Sequence, residues 1–116
     1  MTVMAWLVIC RDAPDSAALR RDHLRAHLAY VEKIMERISV AGPLFADAAG
    51  AMNGSCFIYG TDDPEEARRL LRNDPYYLAG VYEHVEMRAF RPVAGEWVGG
   101  AAWEGNSSAG ERAGES

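Results

Sequence analysis

Val3-Met-Ala-Trp-Leu-Val-Ile-Cys10 is a continuous apolar run, rich in β-branched and aromatic residues, and its reading decides the fold. A run this short reads as a strand buried on both faces. Arg11-Asp-Ala-Pro-Asp15 follows as a turn. Asp15 or Ser16 is placed to cap a helix that runs to about Val40, where Ala41-Gly42-Pro43 stops it. Within that span Leu24, His27, Leu28, Val31, Ile34, Met35 and Ile38 recur at three- and four-residue spacing and define one helical face. The charged residues Arg25, Glu32, Lys33, Glu36 and Arg37 fall mostly off it.

The same alternation repeats downstream. Leu44 to Ala48 reads as a weaker strand, Gly50 to Gly54 as a loop with the turn dipeptide Asn53-Gly54, and Ser55 to Tyr59 as a second apolar strand. Asp62-Asp-Pro-Glu65 has capping-box spacing, with Asp62 as cap and Pro64 in the first turn of a helix ending near Asn73. Asp74-Pro75 opens a short turn of helix that Gly80 terminates, and Tyr82 to Phe90 alternates as a fourth strand. Gly95 to Trp103 is a strand or arm packed on the body.

The order βαββαβ is the ferredoxin-like split unit, an α+β fold with an antiparallel four-stranded sheet. Two helices cover only one face of such a sheet. The other face would be exposed and apolar, which predicts a second subunit against it. Residues 1–103 form the single expected domain. Glu104 to Ser116 contains no large apolar residue, so it is expected to be a disordered tail.

Composition excludes several classes of function. Seventeen acids against twelve bases give a net charge of −5 over 116 residues, which argues against a nucleic-acid partner. No apolar run approaches the ~18–20 residues of a membrane span. Met1 to Cys10 has no basic flank and no small-residue cleavage site, so a signal peptide is not expected. Cys10 and Cys56 lie in apolar runs outside any CxxC spacing, which predicts a reduced cytoplasmic setting, packing roles and no zinc site. Nucleotide-loop, zinc-protease and serine-elbow motifs are absent from the sequence.

Among candidate chemical groups His27 is the most informative. It sits in mid-stripe, where Leu or Ile would pack better, either as a hydrogen-bonded buried histidine or as an acid–base group. Asp74 before Pro75 fits a helix cap, and equally a carboxylate that orients a histidine; the two roles can coexist on different oxygens. Ser55 opens a strand, where it is either a polar edge or a substrate contact.

Arg25-Ala-His27-Leu28-Ala-Tyr30, Ala41-Gly42-Pro43, Gly54-Ser55, Asp74-Pro75-Tyr76 and Ala79-Gly-Val-Tyr-Glu-His-Val85 together resemble the YciI-like family, from about Met4 to Val93. The resemblance implies a dimeric α+β barrel and a histidine–aspartate pair in a cleft between helices and sheet, roles that fall on His27 and Asp74. It places Ser55 near the same cleft, with Arg25 and Tyr30 as further substrate-binding candidates. One branch of the family is similar to a cofactor-free dehydrochlorinase of a chlorinated hydroxyhydroquinone. Leu24 stands where family members often carry arginine, which puts anion binding in question or moves it to Arg20, Arg21 or Arg25.

The expected function is a small cofactor-independent enzyme that transfers protons on an aromatic or enolisable small molecule, giving elimination or isomerisation. A positioned acid–base group supplies about 10²–10⁴-fold in rate, which suffices for substrates whose anion is resonance-stabilised. Two alternatives are a cofactor-free aromatic oxygenase of the related barrel type and a non-catalytic ligand-binding or interaction module. The expected partners are a small-molecule substrate and further copies of the chain, as a homodimer or higher homo-oligomer.

Overall fold

The computed structural model describes residues 4–101, so the expected tail from residue 104 and Trp103 lie outside the described residues. Four strands form one antiparallel sheet in the order β2-β3-β1-β4: β1 (Ala5–Asp12), β2 (Ile38–Phe45), β3 (Met52–Tyr59) and β4 (Tyr82–Phe90). Helix α1 (Ala17–Lys33) joins β1 to β2. Helices α2 (Pro64–Arg72) and α3 (Pro75–Leu78) join β3 to β4. This is the α+β arrangement expected from the alternating runs.

The core lies between the sheet and α2. Val8 and Cys10 of β1 and Phe57 and Tyr59 of β3 point to one face, where they meet Ala67, Leu70 and Leu71 of α2. Helix α2 begins where proline and a cap allow it. Asp63, not Asp62, is the cap, and its side chain accepts from the Glu65 amide at 3.0 Å. Pro64 then occupies the first turn, where its missing N–H costs nothing. Gly80, at φ +85°, ends the α3 segment in a conformation glycine adopts freely.

Three elements differ in their bounds from the sequence reading: the end of α1, the second strand, which is Ile38–Phe45 and not Leu44 to Ala48, and the start of β3, which is Met52 and not Ser55. Helix α1 stops at Lys33, a short 3₁₀ turn covers Met35–Arg37, and Ile38 to Pro43 belong to β2. Ile34 and Ile38 still pack against the core, but from a helix end and a strand start, so their spacing mimics a continuation of the helical stripe past Lys33. Asn53 and Gly54 form no turn. They are paired residues of β3, with Gly54 opposite Arg11 on one side and Leu44 on the other. A Cβ on Gly54 would lie 2.3 Å from the Cys10 carbonyl oxygen, so glycine permits the close approach of β1 and β3. At the start of α1, Ser16 takes the cap position but turns its hydroxyl to the Ala13 carbonyl instead of the helix amides.

On the opposite face Ile9 and Phe90 are exposed, beside the polar His84 and the charged Glu86 and Arg88 of β4. Past β4 a small hairpin of two-residue strands, β5 (Ala94–Gly95) and β6 (Gly100–Ala101), holds Trp97 out, 82% exposed. No helix among the described residues is long and apolar enough to cross a membrane.

Candidate functional site

Helix α1 buries none of its residues, and Leu24 and Leu28 are about half exposed. It packs chiefly against α3 and stands off strands β2 and β3. The gap is a cleft of about 320 Å³. Arg20, Leu24, His27, Leu28 and Val31 line it from α1, Ala41 to Pro43 from β2, and Met52, Ser55 and Phe57 from β3, with Tyr76 of α3 at its end. The walls are mostly apolar and the few polar groups converge, which is the usual make-up of a small-molecule site.

His27 and Asp74 meet in this cleft. The imidazole Nδ1 lies 2.8 Å from Asp74 Oδ1, with the histidine side chain 14% exposed and the carboxylate 1% exposed. An ionised carboxylate has no hydrogen to give, so Nδ1 is the donor of this bond, and in the neutral imidazole the lone pair is then on Nε2. Asp74 also caps α3, and the Tyr76 amide donates to it at 2.9 Å. Both bonds fall on Oδ1, so orienting and capping are one arrangement and do not divide between the two oxygens. The Tyr76 ring stacks on the imidazole with centroids 3.9 Å apart and planes 5° from parallel. The imidazole is therefore fixed by a hydrogen bond at one edge and by an aromatic face.

Arg20, two turns before His27 on α1, supplies the positive charge. Its Nε and Nη2 donate to Asp12 Oδ2 and Oδ1 at 2.8 and 3.0 Å. Nη2 also reaches the Gly54 carbonyl at 2.9 Å and Ser55 Oγ at 3.1 Å. Tyr82 Oη donates to the same Ser55 oxygen at 2.9 Å. The guanidinium carbon lies 5.2 Å from the centre of the Tyr76 ring, and Tyr76 Oη donates to the Arg20 carbonyl at 3.1 Å. Burial alone would weaken the Arg20 charge, but the hydrogen bonds and charge of Asp12 outweigh it and hold the guanidinium above its ordinary range. Burial pushes the Tyr82 phenol up despite its bond to Ser55, and pushes the Tyr76 phenol up against the pull of Arg20. Both remain protonated donors at neutral pH.

Of the residues singled out in the sequence, His27, Asp74 and Ser55 come together here. Arg25 does not: it is exposed on α1 and lines no part of the cleft. Tyr30 is also outside the lining, and its hydroxyl donates to the Leu70 carbonyl at 2.6 Å, tying α1 to α2. Arg20 takes the cationic position in place of Arg25. Asp12, Tyr76 and Tyr82 went unnoticed as site residues, although the Asp-Pro-Tyr run that marks the cap also marks Tyr76. Among the described residues no group of three or more His, Cys, Asp or Glu is placed to hold a metal ion.

Comparison with known proteins agrees with the resemblance. The model of the YCII-related domain matches residues 4–91. Protein YciI of Escherichia coli O6:H1 and that of Shigella flexneri are each 33% identical over 97 residues, covering 78% of this chain and 99% of theirs. Among solved structures, the fold is similar to 5-chloro-2-hydroxyhydroquinone dehydrochlorinase from Burkholderia phenoliruptrix AC1100, in complex with 2,5-dihydroxybenzoquinone. The TM-score is 0.68 at 30% identity, with 81% of this chain and 97% of that one covered.

Proposed function

This chain belongs to the YCII-related domain family, and from that premise we propose that it is a small enzyme that moves protons on an aromatic or enolisable substrate through His27 and Asp74. One observation carries the proposal: a histidine with its Nδ1 held by a buried carboxylate at 2.8 Å lines the same apolar cleft as the donors of Arg20 and Ser55. His27 Nε2 accepts a hydroxyl or activated C–H proton. Asp74 stabilises the imidazolium that forms. The oxygen left behind takes negative charge, and Arg20 and Ser55 stabilise it. Donors aimed at such an oxyanion are each worth about 10²–10³-fold in rate. The imidazolium then returns its proton to a ring or chain carbon, which completes an isomerisation. If that carbon carries a leaving group, a second proton passes to His27 as the group departs with its bonding pair, for a net loss of HX. No step in this sequence needs an electron acceptor.

The similar dehydrochlorinase supports an elimination on a hydroxylated ring. The exposed Ile9 and Phe90 on the helix-free face favour a homodimer or higher homo-oligomer, with that face covered. The reduced thiols Cys10 and Cys56 favour a cytoplasmic location.

The test is chloride release from 5-chloro-2-hydroxyhydroquinone and from a panel of halogenated phenols, with oxygen consumption followed in parallel. Chloride release that His27→Ala abolishes supports the proposal. Oxygen uptake with a phenolic substrate would assign the cleft to an oxygenase, and saturable 2,5-dihydroxybenzoquinone binding without turnover of any panel member would reduce the chain to a binding module.

A further inference from the structure

Asp12 and Tyr82 come together through an irregularity in the sheet. Along β1 and β4, Arg11 stands opposite His84, and regular pairing would set Asp12 opposite Glu83. Instead the register slips and Asp12 stands opposite Tyr82. Such bulges re-aim side chains and concentrate beside active sites. Here the extra residue, Glu83, is exposed and pairs with Arg11 at 3.2 Å. Tyr82 is thereby set on the same side of the sheet as Asp12, Cys10 and Ser55.

Neither Asp12 nor Tyr82 lines the cleft, yet each grips a residue that does. Asp12 takes the Nε and Nη2 edge of Arg20 in a fork, with the two side chains 8% and 11% exposed. A fork of this kind fixes the plane of the guanidinium as well as its position. Nη2 is further engaged by Gly54 and Ser55. Among the described residues Nη1 is left with only the weak sulfur acceptor of Met52 at 3.5 Å. Ser55 Oγ receives hydrogens from both Arg20 and Tyr82. Its two lone pairs are then occupied, and among the described residues its own hydrogen has no protein acceptor.

We propose that Asp12 and Tyr82 are positioning residues of the cleft: Asp12 locks Arg20 so that its Nη1 edge faces the substrate, and Tyr82 turns the Ser55 hydroxyl hydrogen the same way. The bulge at Glu83 is the device that lets one end of the β1–β4 pair hold both. This inference rests on the reading of the cleft as an acid–base site that stabilises a developing oxyanion. Because Asp12 neutralises Arg20, the two donors act by their aim and not by long-range attraction.

The test uses the full chain, the variants Asp12→Asn, Tyr82→Phe and Ser55→Ala, and two readouts. The first needs no ligand. Hydrogen exchange of the Arg20 Nε–H, followed by NMR, is slow in the parent chain and becomes at least about tenfold faster in Asp12→Asn at equal fold stability, because a charge-assisted bond is lost. Unchanged exchange in Asp12→Asn overturns the Asp12 assignment. The second uses 4-nitrophenol, whose neutral and ionised forms differ in colour. The parent chain binds the phenolate in preference to the phenol. Tyr82→Phe weakens that preference about three- to tenfold, the worth of one neutral hydrogen bond, and has no further effect in a Ser55→Ala background. A Tyr82→Phe chain that keeps the parent preference, or one whose loss persists undiminished without Ser55, overturns the Tyr82 assignment. If the parent chain itself shows no preference for the phenolate, the acid–base reading fails and the Tyr82 assignment fails with it, while Arg20 exchange still decides the role of Asp12.

Discussion

Replacing Asp74 by asparagine separates the two duties of one oxygen. Oδ1 accepts from the Tyr76 amide at 2.9 Å and from His27 Nδ1 at 2.8 Å. In Asp74→Asn the Tyr76 amide still requires an acceptor, so the amide oxygen must occupy the Oδ1 position, with the NH₂ group in place of Oδ2. The cap survives, because asparagine caps as well as aspartate. The imidazole keeps its acceptor, its tautomer and its stack on Tyr76. What disappears is the negative charge facing the imidazolium. At a charge separation of roughly 4 Å and an effective dielectric of about 20, that attraction is about 4 kcal/mol, and the remaining neutral hydrogen bond recovers part of it. The expected result is a rate lowered by about 10²–10³-fold. The melting temperature should move by less than about 5 °C, which is under about 1 kcal/mol for a domain of this size. Asp74→Ala serves as the contrast. It removes the cap and leaves the Tyr76 amide and His27 Nδ1 without acceptors at a position 1% exposed, at a cost of about 2–4 kcal/mol. Calorimetry and initial rates on any substrate turned over are the assays. Parent activity in Asp74→Asn would refute the role of the carboxylate charge. A loss of stability in Asp74→Asn equal to that in Asp74→Ala would refute the geometry argued for the shared oxygen.

Gly54→Ala should destabilise by about 1–3 kcal/mol, since its new Cβ meets the Cys10 backbone oxygen at 2.3 Å and the strands must part; an unchanged melting temperature would contradict that fit. Tyr30→Phe should lower stability by about 1 kcal/mol through the lost bond to Leu70, with turnover unchanged, and a raised KM would instead return Tyr30 to the substrate site. Burial pushes the Cys10 thiol from an ordinary 9.0 up to about 12. Above pH 9 the unfolded chain therefore loses a proton that the folded chain keeps, and folding should weaken by about 1.4 kcal/mol per pH unit from this group until about pH 12. Urea titrations at pH 8, 9.5 and 10.5 check the sign, and stability that rises over this range would refute it. Light scattering at micromolar concentration should find a dimer or larger, and a folded monomer there would refute coverage of the Ile9 and Phe90 face.

The sequence by itself determined the elements whose signals are local. Apolar runs such as Val3 to Cys10, the prolines at 64 and 75 with an aspartate before each, and Gly80 after α3 act within a few residues. The alternation of strands and helices followed from them, and with it the α+β class. His27 was also legible, because a polar ring inside an apolar stripe needs a partner. The end of α1 was not. Ile34 and Ile38 face one core from a helix end and a strand start, and three- and four-residue spacing does not distinguish that from a continuing helix. The residues that hold the cleft's donors were least legible of all. Asp12 and Tyr82 come from β1 and β4, and each alone reads as an ordinary strand residue. Only the packing of α1 away from the sheet opens the cleft that Arg25, five residues after Arg20 on the same helix, does not enter. Only the slipped register of β1 on β4 turns Tyr82 toward Asp12. Both are set by contacts between distant segments, and no local spacing in the chain encodes them.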